Sequence, residues 1–272
     1  MFTYQGKTAL ITGASSGIGQ TFARALAERG MAVVLVARSE ERLRALASEL
    51  SERHGVQAEV IVADLSREQA AREILQEVQR RGLVVDLLIN NAGFATNGFF
   101  EKLSPEVDHR QVMVDVTAVV DLTHAFIPML LERSPGAALI NVASTAGFQP
   151  LPYMAVYGAS KAFVLSFSQA LAEEYRARGL RVLALCPGPT DTRFFDIAGE
   201  SASFGRKRRP EQVVVTGLRA LERGRSVVVD GFTNALLAQL ARFSPRQLVV
   251  RGAAKNARPQ QASDAPPRPA SG

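Results

Sequence analysis

Three side chains in the middle of the sequence have the types and the spacing that proton transfer requires. Tyr157 and Lys161 are four residues apart, so on a helix they share one face and the ammonium lies beside the phenol. A phenol has a reference pKa of about 10, and a fixed positive charge nearby lowers that pKa by favouring the phenolate. Ser144, thirteen residues earlier, could donate a hydrogen bond to a reacting oxygen. The pattern predicts acid-base chemistry at a carbonyl or alcohol oxygen.

A glycine-rich segment near the N-terminus lies where an apolar run ends and a helical pattern begins. A tight turn there directs backbone N–H groups and a helix N-terminus toward a pyrophosphate, and glycine lets the backbone approach it closely. Because the segment lacks the Gly-Lys-Ser/Thr of a nucleoside-triphosphate loop, a dinucleotide is the better ligand. A purely structural strand-helix turn is the alternative. The predicted contacts are Gly13, Ser15, Ser16, Gly17, Ile18 and Gly19.

The residues that follow the second and third predicted strands bear on the choice of dinucleotide. Arg38 stands where a carboxylate would accept hydrogen bonds from the ribose of NAD, and its guanidinium can pair with a 2′-phosphate instead. Asp64, followed by Leu65, is placed to accept a hydrogen bond from the adenine amino group. The pattern favours NADP(H) over NAD(H). Two alternatives stay open: Arg38 could be a surface residue paired with Glu40 or Glu41, and Asp64 could be a helix cap.

Short β-branched runs alternate with longer stretches of helical periodicity along the chain. This alternation is typical of an α/β fold in which a doubly wound, Rossmann-type parallel sheet of seven strands carries helices on both faces. A single domain over residues 1–252 is expected, followed by a disordered tail at 253–272 that is rich in Pro, Ala, Gln and Ser. The predicted strands are 8–12, 32–37, 59–63, 86–90, 137–143, 181–186 and 226–229, and the predicted helices include 18–29, 40–53, 68–80, 105–132 and 153–178.

Motifs in a fixed order connect these elements with a known family. An Asn-Asn-Ala-Gly motif at 90–93 follows the fourth strand, Ser144 follows the fifth, and Tyr157 and Lys161 lie in the next helix. Over residues 7–231 the chain therefore resembles the short-chain dehydrogenase/reductase family. The resemblance implies a nicotinamide-dependent oxidoreductase that acts on CH–OH or C=O groups. It also implies that Tyr157 is the general acid/base, that Ser144 holds the substrate oxygen, and that Lys161 additionally holds the cofactor ribose.

The resemblance assigns the remaining cofactor contacts as well. Asn91 is expected to tie its strand end to a neighbour, and the proline-rich segment after the sixth strand looks like the family's nicotinamide loop. A simple turn leaving the sheet would also account for that segment. Ser144 could likewise only finish a strand and hydrogen-bond its own turn. The assigned contacts are Asn91, Ala92, Gly93, Tyr157, Lys161, Pro187, Gly188, Thr190 and Thr192.

One position departs from the family pattern. Asp115 stands where the family carries an asparagine that helps to hold a water beside the active lysine. An ionised Asp115 would pair with Lys161 and partly cancel the effect of the ammonium on Tyr157, whereas a protonated or water-bridged Asp115 could imitate asparagine. Asp115 is therefore a fourth candidate catalytic residue, and we expect a shifted pH optimum.

Residues just after each motif should line the substrate pocket, because the pocket of this architecture opens beyond the carboxyl ends of the strands. They are mostly apolar, which favours an apolar or bulky carbonyl compound or alcohol. Residues 190–210 lack a clean period and suit a mobile lid. The basic run at 206–209 could dock an acidic carrier protein or an acyl thioester, or could form a solvated loop. The predicted lining residues are Phe94, Thr96, Ser144, Phe148, Leu151, Tyr153, Met154, Phe194 and Phe195.

Composition and charge limit the classes of partner that the protein could bind. The net charge of +6 is scattered apart from 206–209 and has no matching aromatic stripe, which disfavours nucleic acid. The single cysteine, Cys186, needs no oxidising compartment, and no apolar stretch approaches the length of a membrane span. A cytoplasmic location with no membrane partner is therefore expected. The three histidines are isolated, so no metal site is predicted. Long helices flanking the site could pair into a homodimer or homotetramer.

Two other functions compete with the oxidoreductase. An NADP(H)-binding sensor or structural protein with little catalysis is supported only by Asp115, and a pure binder needs no proton donor such as Tyr157. An epimerase or dehydratase on the same fold is disfavoured because about forty residues after the seventh strand are too few for a separate substrate domain.

Overall fold

The computed structural model describes residues 2–192 and 207–258 and contains all seven predicted strands. The strands are β1 (Thr8–Thr12), β2 (Ala32–Ala37), β3 (Ala58–Val62), β4 (Leu87–Asn90), β5 (Ala138–Val142), β6 (Arg181–Cys186) and β7 (Val227–Val229). They form one sheet in the order β3-β2-β1-β4-β5-β6-β7, and all six neighbouring pairs are parallel. The predicted doubly wound sheet is confirmed, with no strand end displaced by more than one residue.

Helices connect the strands and extend the chain beyond β7. They are α1 (Gly17–Ala27), α2 (Glu40–His54), α3 (Ala70–Arg80), α4 (Pro105–Val112), α5 (Ala118–Glu132), α6 (Ala155–Glu174), α7 (Pro210–Glu222), α8 (Phe232–Phe243) and α9 (Arg246–Ala257). The helix predicted at 153–178 is α6 followed by a 3₁₀ turn at Arg176–Arg178. It stops at Gly179, whose φ of 78° is left-handed and therefore suits glycine at a helix end.

Both faces of the sheet are buried because helices cover both. α1, α2 and α7 cover one face, where Phe22, Leu43 and Leu218 lie in the core. α3 and α5 cover the other face with Ile74 and Phe126. The strands accordingly read as continuous apolar runs, as is usual for a parallel sheet. This two-sided core fixes the carboxyl ends of the strands, from which the site is built.

The long helix predicted at 105–132 contains one wider turn. α4 and α5 are joined by a π-helical turn at Met113–Thr117, which carries Asp115. By length and composition the whole stretch passes the test for a membrane-spanning helix, which corrects the expectation that no such stretch exists. Its Leu122 and Phe126 are nevertheless buried in the core against the sheet. A π turn adds a residue to the helix and is often found at functional positions.

The chain after β7 is more ordered than its composition indicated. α9 extends to Ala257, so the prediction of a disordered tail from Ala253 is wrong for residues 253–257. Ala253 is buried in a small apolar cluster with Leu151 and Met154, a contact between distant segments that composition cannot reveal. The rest of the predicted tail, at 259–272, and most of the predicted lid, at 193–206, lie outside the described residues.

Candidate active site

A cavity of about 1250 Å³ opens at the carboxyl edge of the sheet. The strand order reverses between β1 and β4, and the loops that follow these strands diverge there, which is where α/β sheets of this kind bind ligands. The loops after β1 to β6 all contribute to its walls. Motifs that are far apart in the sequence therefore lie together around this cavity.

The glycine loop after β1 fits the pyrophosphate of a dinucleotide. Gly13 and Gly17 have φ angles of 66° and 55°, in the left-handed region that favours glycine. Ser16 makes no side-chain cap on α1, and the first turn of α1 contains no acidic residue, so the N-terminal N–H groups and the positive end of the helix dipole suit an anion. Gly19 does not line the cavity, but any side chain there would collide with the Gly13 carbonyl. The lining residues are Gly13, Ser15, Ser16, Gly17 and Ile18.

Asn91 fastens the end of β4 to the end of β1, as predicted. Its side-chain amide donates a hydrogen bond to the Thr12 carbonyl at 2.8 Å. The backbone N–H groups of Asn91 and Ala92 donate to the Thr12 hydroxyl at 2.9 and 3.0 Å. Asn91, Ala92 and Gly93 all line the cavity, so these bonds hold one of its walls in place.

Tyr157, Ser144 and Lys161 meet in one wall of the cavity. A hydrogen bond joins the Tyr157 and Ser144 hydroxyls, and Lys161 Nζ lies 5.7 Å from the centre of the Tyr157 ring. Lys161 also donates to the Val142 carbonyl at 3.3 Å. α6 comes close to the turn after β5 because position 147 is glycine: a Cβ on Gly147 would lie 2.6 Å from the Lys161 carbonyl oxygen. The structure thus brings together the three residues whose spacing predicted proton transfer.

Both interpretations of Ser144 hold at once. Its Oγ accepts a hydrogen bond from the Ala146 backbone N–H at 3.1 Å, the local turn bond that was the structural alternative. Its hydroxyl also lies within hydrogen-bond reach of Tyr157. Because the backbone bond restricts the Ser144 rotamer, the turn helps to aim the hydroxyl at the site.

Asp115 is fully buried beside Lys161. Its Oδ1 accepts a hydrogen bond from the Phe94 backbone N–H at 3.1 Å, and its Oδ2 lies 4.0 Å from Lys161 Nζ. No described residue hydrogen-bonds to Oδ2. Gly93 leaves room for the carboxylate, since a Cβ there would lie 2.7 Å from Oδ1. Burial raises the pKa of Asp115 to about 6, while the positive charge of Lys161 acts against this rise.

The pKa of Tyr157 is raised rather than lowered, which corrects the expectation drawn from Lys161. Burial is the largest cause, and the charge of Asp115 raises the pKa further, whereas the hydrogen bond with Ser144 lowers it. Loss of hydration disfavours the phenolate, which is the charged form of the side chain. Tyr157 is therefore held as a phenol near neutral pH.

Two arginines lie where the cavity passes the ends of β2 and β3. Arg38 lines the cavity as predicted, and so does Arg42 in the first turn of α2. No signal in the sequence pointed to Arg42, because Arg38 precedes the helix and helical spacing does not relate the two residues.

Asp64 and Leu65 also line this part of the cavity. Asp64 accepts hydrogen bonds from the backbone N–H and hydroxyl of Ser66 at 3.0 and 2.8 Å, and these bonds hold its pKa below the usual value. The helix-cap alternative for Asp64 is wrong, because α3 begins at Ala70 with Gln69 as its N-cap, and Asp64 closes a turn instead.

The segment after β6 is held from two sides. Thr190 forms a β-bridge with Arg208, and Thr192 lies against the glycine loop, where a Cβ on Gly17 would be 3.0 Å from its methyl carbon. The Arg208 guanidinium binds the fully buried carboxylate of Asp230 at 2.5 and 3.2 Å. Arg208 is therefore engaged inside the protein and not available for docking a carrier. The predicted nicotinamide loop lines the cavity with Pro187, Gly188, Thr190 and Thr192.

Most of the predicted substrate residues line the cavity, but two do not. Tyr153 has a left-handed φ of 65°, packs edge-on against Phe99 with ring centres 5.2 Å apart, and borders a separate small pocket. Such a backbone is rare for a bulky residue, so sequence could not indicate it. Thr96 instead donates a hydrogen bond to a carboxylate of α4. Phe194 and Phe195 lie outside the described residues. Those that line the cavity are Phe94, Ser144, Phe148, Leu151 and Met154.

Two C-terminal helices, to which the sequence analysis gave no role, complete the wall. α8 and α9 contribute mostly aliphatic side chains, which makes this side of the cavity apolar. The helical periodicity of residues 232–243 was a usable signal for α8, but its position over the cavity depends on packing between distant segments. The contributors include Leu237, Ala238, Leu240, Ala241, Leu248 and Val249.

The fold and the cavity are those of a dinucleotide-binding oxidoreductase. A sequence profile of the short chain dehydrogenase family matches residues 7–201. The chain belongs to the short-chain dehydrogenase/reductase family, whose members oxidise CH–OH groups or reduce C=O groups with a nicotinamide cofactor.

Two curated relatives show how far the likeness extends. The chain is 39% identical to sulfoacetaldehyde reductase 2 of Chromohalobacter salexigens, over 68% of its own length and 73% of that protein. It is 36% identical to very-long-chain 3-oxoacyl-CoA reductase of Anas platyrhynchos, over 72% of its own length. The chain spans only 64% of the latter protein, so the two differ in overall length.

Solved structures cover nearly the whole chain. A short-chain dehydrogenase from Sphingobium yanoikuyae in complex with NADPH has a TM-score of 0.79 and 34% identity, covering 95% of this chain and 99% of that one. The bulky-bulky ketone specific alcohol dehydrogenase from Comamonas testosteroni has a TM-score of 0.74 and 31% identity, with coverage of 95% and 97%. A Burkholderia phymatum family member in complex with NAD has a TM-score of 0.81 and 27% identity, with coverage of 92% and 97%.

Proposed function

We propose that the protein is an NADP(H)-dependent carbonyl reductase or alcohol dehydrogenase for apolar or bulky substrates. The observation that carries this proposal is the hydrogen-bonded pair of Tyr157 and Ser144 in a largely apolar cavity. The glycine loop that fits a pyrophosphate belongs to the same cavity, so cofactor and substrate can meet at this pair.

Tyr157 and Ser144 have different roles in the proposed reaction. The bound nicotinamide would supply or accept the hydride. Tyr157 donates its phenolic proton to the substrate oxygen in reduction and removes it in oxidation. Ser144 donates a hydrogen bond to the same oxygen and stabilises the negative charge that develops on it. Because burial raises the pKa of Tyr157, the phenol keeps its proton near neutral pH, which is the form that reduction requires.

The preference for NADP(H) is supported by the charge around the end of β2. Arg38 and Arg42 both line the cavity there, and a guanidinium can bind a 2′-phosphate with two parallel hydrogen bonds. The competing interpretation of Arg38 as the partner of Glu40 is weakened, because Glu40 pairs with Arg44 at 2.6 Å. Solved neighbours include complexes with NADPH and with NAD, so the preference rests on the two arginines.

The substrate class is supported by the apolar lining. Phe94, Phe148 and the aliphatic side chains of α8 and α9 surround the space next to Tyr157 and offer few hydrogen-bond partners to a polyol. The name of the Comamonas testosteroni enzyme, which specifies bulky-bulky ketones, is consistent with this choice. A carrier-linked substrate has less support because Arg208 is paired with Asp230.

We also propose a cytoplasmic location and a homo-oligomer. The location is supported by the single cysteine: Cys186 is buried, and burial raises the pKa of its thiol to about 12, so it is suited neither to disulfide exchange nor to nucleophilic attack. The oligomer is supported by the exposed Phe163 side chain on α6, which stacks on Phe167.

Nicotinamide absorbance followed with a panel of bulky aryl ketones and small polyol ketones tests the function. We expect turnover of the bulky ketones, with kcat/KM at least about tenfold higher for NADPH than for NADH. Tyr157→Phe should lower kcat by about 100-fold to 10,000-fold and leave NADPH binding unchanged, because only the proton donor is lost. Tyr153→Phe is the matched control, since Tyr153 lies outside the cavity. A panel without turnover, or full activity in Tyr157→Phe, would reject the proposal.

A further inference from the structure

The outward face of α8 carries an apolar stripe. Phe232, Leu236, Leu240 and Phe243 are four, four and three residues apart and therefore share one face of the helix. Phe232 and Phe243 are 86% and 85% exposed, and the two leucines are about half exposed. Phenylalanine is among the residues most often buried, so two nearly free rings on one face are unusual. A contiguous exposed apolar patch of this kind marks a binding surface.

The same two helices carry only positive charge. Residues 231–258 contain five Lys or Arg residues and no Asp or Glu. On α9, Leu248, Arg251 and Lys255 are three and four residues apart, so an apolar and two cationic side chains share one exposed face. Within residues 2–192 and 207–258, no ion pair involves Arg251 or Lys255. Apolar and cationic side chains therefore lie side by side on the exposed face of α9.

The apolar stripe of α8 and this face of α9 both reach the rim of the active-site cavity. Leu240 and Leu248 are exposed on the outside and also line the cavity. Ala238, on the opposite face of α8, is buried against the cavity wall. α8 therefore separates the cavity from most of the apolar stripe, and Leu240 lies at the rim where the two meet.

We propose that α8 and α9 dock the protein on an anionic lipid bilayer. Phe232, Leu236 and Phe243 enter the boundary between headgroups and acyl chains, and Arg251 and Lys255 lie against lipid phosphates. Helices that combine apolar side chains with Lys and Arg bind such interfaces through buried apolar area and attraction to anionic lipids. This docking revises the expectation of no membrane partner, and it is independent of the substrate and cofactor proposed above.

The charge of this surface favours a lipid bilayer over a second copy of the chain or a nucleic acid. A second copy docked through a twofold axis would place the same cations opposite each other, with no carboxylate in residues 231–258 to pair with them. A nucleic acid would satisfy Arg251 and Lys255 but would leave Phe232 and Phe243 in water. A bilayer with anionic headgroups pairs with the cations and also removes the phenyl rings from water.

Vesicle flotation of the full-length protein tests the proposal. We expect binding to phosphatidylcholine vesicles that contain about 30% phosphatidylglycerol, little binding to pure phosphatidylcholine, and weaker binding at high salt. The double variant Phe232→Ser/Phe243→Ser should lower the partition coefficient at least about tenfold. Arg251→Glu/Lys255→Glu should remove the preference for anionic vesicles. None of these four residues lines the cavity, so ketone reduction without vesicles should persist.

Matched variants elsewhere on the surface provide the controls. Phe100→Ser removes another exposed phenylalanine, and Arg72→Glu/Arg219→Glu reverses two exposed cations on α3 and α7. Vesicle binding should not change in either. The proposal is overturned if the parent does not bind anionic vesicles, or if the controls weaken binding as much as the α8 and α9 variants do. It is also overturned if Phe232→Ser/Phe243→Ser dissociates a dimer that binds no vesicles, because a second copy would then cover the stripe.

Discussion

Asp115 gives this active site a charge that can change with pH. An asparagine in its place would be neutral at every pH, whereas burial raises the pKa of Asp115 to about 6. Below that pH the carboxyl group is neutral and resembles an amide. Above it, the carboxylate pairs with Lys161 and its charge raises the pKa of Tyr157. The acidity of Tyr157 therefore depends on the ionisation of Asp115.

Asp115→Asn should shift the pH profile of oxidation, the direction that needs the Tyr157 phenolate. Removing the carboxylate removes one cause of the high pKa of Tyr157. As the pH is raised, the rate of alcohol oxidation should therefore increase at a pH about one unit lower in the variant than in the parent. The oxidation rates of the parent and the variant should become equal below a pH of about 6, where the carboxyl group of Asp115 is neutral. Steady-state kcat for alcohol oxidation across the pH range measures the shift, and Asp121→Asn on α5 is the matched control.

The ionisation of Asp115 should also change the free energy of unfolding. The pKa of Asp115 is about 6 in the folded protein against an ordinary value of 3.8, so the folded state binds more protons between these values. The free energy of unfolding of the parent should therefore fall as the pH rises through that window, and Asp115→Asn should lack the fall. Identical rate and stability profiles in the two proteins would contradict an ionising role for Asp115.

At the scale of elements, a buried ion pair fastens the nicotinamide loop to β7. Arg208 pairs with Asp230, and Asp230 also accepts a hydrogen bond from Thr216 of α7 at 2.7 Å. The backbone N–H of Arg208 donates to the Pro189 carbonyl at 2.9 Å, and the N–H of Asp191 donates to the Arg208 carbonyl at 2.8 Å. Arg208 thus links the loop at 187–192 to the edge of the sheet.

Arg208→Met should weaken both the fold and cofactor binding. Removing the guanidinium leaves the Asp230 carboxylate buried without its cation, which costs about 3 kcal/mol. Because the loop at 187–192 loses an anchor, KM for NADPH should rise. Urea denaturation and steady-state kinetics measure the two effects. Arg209→Met is the control, since Arg209 is the exposed neighbour in the same basic run; a loss of stability as large in Arg209→Met would argue against the pair as the cause.

The sequence predicted elements and motifs better than contacts between distant segments. Tyr157 and Lys161 follow from a local rule, the four-residue spacing of a helix, and Ser144 follows from its place after a buried strand. The role of Arg208 could not be predicted because its partner, Asp230, comes after a further helix in the chain. The raised pKa of Tyr157 depends on burial, which the spacing of charges does not report. Local periodicity is visible in one sequence, whereas packing and desolvation are not.

At the scale of the whole molecule, two exposed apolar surfaces lie on different helices of the described residues. One is the stripe on α8, which we propose enters lipid. The other lies on α6, where Phe163 and Phe167 stack with ring centres 5.7 Å apart and Phe163 is 41% exposed. Val112 of the adjacent α4 is equally exposed. Apolar side chains on long helices suit an isologous contact with a second copy, so this is the surface on which we expect the homo-oligomer to form.

Phe163→Glu should therefore convert the assembly to a smaller species. In a twofold interface each substitution places two glutamates near each other, and like charges in a desolvated contact should weaken association at least about tenfold. Sedimentation velocity over a range of concentrations measures the change. Phe100→Glu is the control, because Phe100 is exposed outside α6. Phe163→Glu should keep vesicle binding, while Phe232→Ser/Phe243→Ser should keep the oligomer. If Phe163→Glu sediments like the parent at every concentration, the α6 surface is not the interface.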